Sequence, residues 1–176
     1  MKIFVSHSLS DQDLIGNIRN MLEPHGLSLL IAEHTLEMRE TISNKIEKLI
    51  LACDVGLILL TENGFNSKFV QQEIGYLESL KKPCLQLIQV GIEKNISGFN
   101  YGKDFILFDP NEPQIALEKM TNSLMEYWQK REHQRQVRAV KLHEQMRIAK
   151  QRQENETKIG IGILAGLIIL GLSSEK

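Results

Sequence analysis

An open, parallel α/β sheet with helices on both faces is the fold this sequence predicts, and three observations predict it. Strand-like apolar runs alternate with helical patterns five times between Lys2 and Trp128. The runs are continuous, as in Val55-Gly56-Leu57-Ile58-Leu59-Leu60, which marks strands covered on both faces. Each intervening segment carries a single apolar stripe at helical spacing, enough to cover one side of a sheet. With 176 residues and 42% hydrophobic content, the chain can build one ordinary domain and an appendage.

Lys2-Ile3-Phe4-Val5 is the first strand, followed by the polar loop Ser6-His7-Ser8-Leu9. Ser10 is expected to cap the next helix, with Asp13 three residues on in capping-box fashion. That helix turns Leu14, Ile15, Ile18, Met21 and Leu22 inward and ends at Glu23-Pro24-His25-Gly26. Leu27 to Ile31 is the second strand. The polar stretch from Ala32 to Glu40 leads into a helix with Ile42, Ile46, Leu49 and Ile50 on one face. The third strand, Val55 to Leu60, passes through an expected turn, Thr61-Glu62-Asn63-Gly64, into a helix bearing Phe69, Val70, Ile74, Leu77 and Leu80. Lys81-Lys82-Pro83 breaks that helix, Cys84 to Ile88 is the fourth strand, and Gly91 to Tyr101 is irregular. Phe105 to Phe108 is the fifth strand, and the last domain helix starts at Asp109-Pro110-Asn111.

Beyond Trp128 the character of the chain changes. Residues 1–128 hold 11 Lys and Arg against 17 Asp and Glu, whereas residues 129–158 hold 9 against 4. The second segment is a basic, solvated helical stalk with a thin apolar seam and no sustained heptads. Glutamates interrupt its positive charge and no aromatics interleave, so nucleic acid is not expected as a partner. Residues 159–174 form an uncharged hydrophobic helix, expected to associate with a membrane or, alternatively, to drive self-assembly. Its core from Ile159 to Leu172 spans about 21 Å at ~1.5 Å per residue, and flanking Ser173, Ser174, Lys158 and Lys176 bring it toward a hydrocarbon layer of about 30 Å. Met1-Lys2 runs directly into a strand without a secretory segment, and Cys53 and Cys84 are isolated. A cytoplasmic domain with a single C-terminal membrane helix is the expected location.

Several chemistries are disfavoured. No Gly-rich phosphate loop follows the first strand, and no G-x-S-x-G elbow occurs. No Cys/His cluster offers a metal site, so none is expected. His7 and His34 fall in loops at carboxyl ends of strands, the edge where ligands bind in open parallel sheets. Glu73 shares one helix face with Phe69, beside the end of the third strand. It is either a partner of the helix dipole or a working carboxylate.

The boxes Phe4-Val5-Ser6-His7-Ser8 with Asp11, Leu30-Ile31-Ala32-Glu33, Ala52-Cys53-Asp54 into Leu57–Thr61, and Asn66-Ser67-Lys68-Phe69-Val70-Gln71-Gln72-Glu73-Ile74-Gly75 resemble Toll/interleukin-1 receptor (TIR) domains of the prokaryotic type. The resemblance covers residues 1–128 and implies a five-stranded, flavodoxin-like sheet. It also implies cleavage of the nicotinamide–ribose bond of NAD, by hydrolysis or cyclisation, in defence or stress signalling. NAD is then the substrate and no cofactor is needed. In this class self-association through the domains switches activity on. Glu73 stands at the family's catalytic glutamate and Phe69 where the family often has Trp, while Ser6, His7, Ser8, Glu33 and Ser67 are the implied substrate-binding residues. The alternative is a non-enzymatic, membrane-associated scaffold acting through TIR–TIR contacts.

Overall fold

The computed structural model of the protein describes residues 1–32, 42–96 and 105–172. Five strands, β1 (Lys2–Ser6), β2 (Ser28–Ile31), β3 (Val55–Leu60), β4 (Cys84–Gln89) and β5 (Phe105–Phe108), form one sheet in the order β2-β1-β3-β4-β5. Every neighbouring pair is parallel. This is the flavodoxin-like α/β fold that the alternation of strands and helices predicts.

The helices α1 (Gln12–Leu22), α2 (Ile42–Ala52), α3 (Glu62–Asn66), α4 (Lys68–Ser79) and α5 (Gln114–Leu172) complete the order. Right-handed crossovers assign their faces. The step from β1 to β2 runs one way across the sheet, while the steps from β2 to β3 and from β3 to β4 run the other way. α1 therefore lies on one face, and α2 and α4 on the opposite one. The two hydrophobic clusters match: Ile15, Ile18 and Leu22 of α1 pack with Ile3, Val5, Leu57, Leu59 and with Leu117, Met120 and Leu124 of α5. Ile50 of α2 and Val70, Ile74 and Leu77 of α4 pack with Phe4, Ile58, Leu60 and Ile88. Side chains alternate along a strand, so Phe4 and Ser6 face α4 while Ile3 and Val5 face α1. Gly56 lets α4 come close, since a Cβ there would lie 2.9 Å from Leu77 Cδ1.

Two local expectations are corrected. The capping box is formed by Ser8 and Asp11 around a 3-10 turn, Leu9–Asp11, not by Ser10 and Asp13. Asp11 is the better partner because its Oδ2 also accepts from Thr61 Oγ1 at 3.1 Å, tying the β1 loop to the end of β3. The expected turn after β3 is instead α3, capped by Thr61, whose Oγ1 accepts from Gly64 N at 2.9 Å. Ser67 then caps α4, accepting from Val70 N at 3.4 Å.

The chain divides into two units, Met1–Trp128 and Gln129–Lys176. α5 is helical to Leu172, so the stalk and the tail up to that residue are both helical. On the stalk Val137, Val140, Leu142, Met146 and Ile148 are exposed. Among the described residues no helix is long and apolar enough to cross a membrane. The membrane-spanning helix expected at 159–174 is therefore not supported. Its uncharged core reaches about 21 Å, against the about 30 Å of a hydrocarbon layer, and Glu154, Glu156 and Lys158 precede it directly.

Candidate active site

Strand alternation and crossover handedness together deliver Ser6 to Glu73. Ser6, the last residue of β1, points to the α4 face, and Glu73 sits in the second turn of α4 above it. The Ser6 hydroxyl donates to Glu73 Oε2 at 2.6 Å, a short bond between buried groups 67 positions apart in sequence. Glu73 is only 4% exposed. Burial strips water from its carboxylate and pushes the pKa up to about 7, while the Ser6 hydrogen bond pulls the other way. A carboxyl group so poised exchanges protons readily at neutral pH.

Glu73 lies in the wall of a cavity of about 280 Å³ between α2 and α4. Phe69, Gln72, Glu73 and Tyr76 come from α4, and Ser43, Ile46 and Glu47 from α2. The four α4 residues recur at the spacing of one helix face. Phe69 is 51% exposed, an apolar ring half in water beside a carboxylate. Tyr76 Oη donates to Glu47 Oε1 at 2.9 Å, joining α4 to α2 across the cavity. That bond pushes the Tyr76 phenol up, holding its proton in place. Among the described lining residues the two charged ones, Glu47 and Glu73, are acids, and none is a Lys or Arg.

The remaining candidate residues fall in different places. His7 is buried; its Nδ1–H donates to Val5 O at 3.2 Å, and its Nε2 is buried with no hydrogen-bond partner among the described residues. Ser8 and Ser67 are engaged as caps. Glu33 and His34 lie outside the described residues. Sequence reasoning missed Ser43, Ile46, Glu47, Gln72 and Tyr76. Gln72 and Tyr76 were legible from their spacing with Phe69 and Glu73. The α2 residues were not, because nothing in a sequence sets the lateral placement of two helices on one face.

The arrangement offers a proton-accepting carboxylate at the wall of an apolar-edged cavity, beside the carboxyl end of β1. There the sheet reverses its winding, the position at which open α/β sheets bind ligands.

A family model described as the TIR domain matches residues 3–121. Among solved structures, the chain is similar to a CMP N-glycosidase, BcmB, of Clostridium botulinum, at 15% identity and a TM-score of 0.50, covering 68% of this chain and 98% of that one. It is also similar to a 2-desoxiribosyltransferase of Leishmania mexicana, at 20% identity and a TM-score of 0.42, over 59% of this chain and 81% of that one. A third is the TIR domains of the activated Roq1 resistosome that directly recognises the pathogen effector XopQ, at 14% identity and a TM-score of 0.46, over 73% and 75%. The comparison with curated proteins returned no match. The first solved structure shares the fold, and the family model spans the sheet from β1 into α5. The chain belongs to the TIR-domain family.

Proposed function

We propose that this protein consumes NAD, cleaving the bond between nicotinamide and ribose, and that association of its TIR domains promotes the reaction. One observation carries the proposal: Glu73, buried and held by Ser6 at 2.6 Å, opens onto a cavity sized for part of a nucleotide. An ionised carboxylate at that depth stabilises the oxocarbenium character that ribose C1′ acquires as the bond breaks. The bonding pair leaves with the nicotinamide nitrogen, which neutralises the pyridinium, so no acid is needed to protonate the leaving group. Water then adds to C1′ and its proton passes to Glu73, whose pKa of about 7 suits a general base. An adenine nitrogen attacking in place of water gives the cyclic product. Phe69, half-exposed on the cavity wall, is the aromatic side chain placed to meet the pyridinium.

The alternative is a scaffold that binds other TIR domains without chemistry. Against it stands the cost of keeping Glu73. Burying this carboxylate destabilises the fold at neutral pH, a feature that marks functional sites more often than packing sites. The fold also carries a CMP N-glycosidase, so the scaffold is compatible with breaking an N-glycosidic bond. A role in defence or stress signalling accords with the family.

Nicotinamide release from NAD by the purified full-length protein, beside Glu73→Gln, tests the reading. Release by the parent, and release at least roughly a hundredfold slower by the variant, is the expected result. Equal rates, or no release by either at high protein concentration, would transfer the assignment to the scaffold.

A further inference from the structure

The cavity beside Glu73 has a second carboxylate, and the proposed chemistry does not use it. Glu47 reaches in from α2 and is held by the Tyr76 hydroxyl at 2.9 Å. Glu73 is buried, whereas Glu47 is exposed. Glu47 therefore stands on the solvent side of the cavity. Tyr76 occupies one of the roughly four acceptor positions of a carboxylate, so the group is oriented and retains capacity for a ligand. Among the described residues that line this space, two are acids and none is a base. At about 280 Å³ it falls just below the usual range of ligand cavities, ~300–1,000 Å³. Such a space takes one nucleoside.

The charge on these walls sorts the parts of a nucleotide. A pyridinium ring and an unphosphorylated ribose are attracted or accepted by carboxylates. A phosphate monoester, carrying about −1.5 to −2 charge at pH 7, is repelled by them. On the reading that Glu73 acts on an N-ribosyl pyridinium, we propose that Glu47, oriented by Tyr76, is a specificity-determining residue. Its carboxylate accepts a sugar hydroxyl and disfavours a terminal phosphate, so the cavity selects the cationic nucleoside end of its substrate. Phosphates of a dinucleotide lie outside this space. Glu47 takes no part in bond cleavage; it sets which ligand occupies the cavity.

The test is binding of nicotinamide riboside and of nicotinamide mononucleotide to the full-length protein, measured by calorimetry, with Glu47→Gln and Tyr76→Phe alongside. The parent should bind the riboside more tightly than the mononucleotide. Glu47→Gln should narrow the ratio by about two- to fivefold, the scale of one partly exposed charge, by tightening the mononucleotide. Tyr76→Phe, which keeps the charge and removes its orientation, should weaken both ligands and leave their ratio largely in place. Equal affinities in the parent, an unchanged ratio in Glu47→Gln, or no binding of either ligand would each overturn the inference. Binding with the expected ratio but no turnover would instead sink the enzymatic reading and leave the selectivity of the cavity standing.

Discussion

At Glu73 a single proton links stability to activity. In the unfolded chain this carboxyl titrates near its ordinary value of 4.5, and in the fold at about 7. The folded state thus holds the proton more tightly. The resulting stability is full below about pH 4.5 and is lost as pH rises through about 7, roughly 3 kcal/mol in all. Glu73→Gln keeps an acceptor for Ser6 without the charge. It should be more stable than the parent above pH 7 by about 1–3 kcal/mol, with the advantage shrinking toward pH 4.5. Chemical denaturation at several pH values reads this directly, and a pH-independent difference would contradict the burial argument. Activity should follow the opposite trend, rising with pH through about 7 as the carboxylate ionises. Ser6→Ala removes the hydrogen bond that favours the ionised form, so the midpoint of the pH–rate profile should move up. A midpoint that stays put would mean that Ser6 only packs.

The two short connections around α3 and α4 set where the functional helix begins. Thr61 and Ser67 cap successive helices six residues apart, and between them Gly64 passes directly over the end of β3. A Cβ at Gly64 would lie 2.5 Å from the carbonyl oxygen of Leu59, a backbone atom that has no rotamer by which to yield. Gly64→Ala should therefore cost about 2 kcal/mol or more, read as a lowered midpoint in urea. Unchanged stability would mean that α3 can move away from β3 at little cost. Phe69, by contrast, is half in water. Phe69→Ala should lower the unfolding free energy by no more than about 1 kcal/mol while raising KM for NAD roughly tenfold, as expected for loss of a ring–cation contact.

For the molecule as a whole, the unit Met1–Trp128 contains the sheet, both hydrophobic clusters and the cavity. Deleting residues 159–176 should leave its cooperative unfolding unchanged. If the hydrophobic tail promotes assembly, the shortened protein should lose activity at low concentration and recover it at high concentration, because association raises the local concentration of domains. Equal specific activity across a dilution series would remove the tail from the mechanism.

The sequence by itself determined the sheet. Continuous apolar runs, their alternation with amphipathic segments and the breakers at Pro24-His25-Gly26 and Lys82-Pro83 are local signals, and local signals survive without coordinates. It also determined that Glu73 and Phe69 share a helix face, since that needs only the period of a helix. Ser6 was named from resemblance, but its bond to Glu73 depends on the end of β1 and the close seat of α4 over Gly56. The capping box moved from Ser10 to Ser8 because Asp11, unlike Asp13, is also held by Thr61 from another strand. Glu47 and Tyr76 became one unit only when α2 and α4 packed side by side. Periodicity fixes which side of a helix is buried; which residues of two helices meet is decided by the packing of side chains 29 positions apart, and only the tertiary structure sets that.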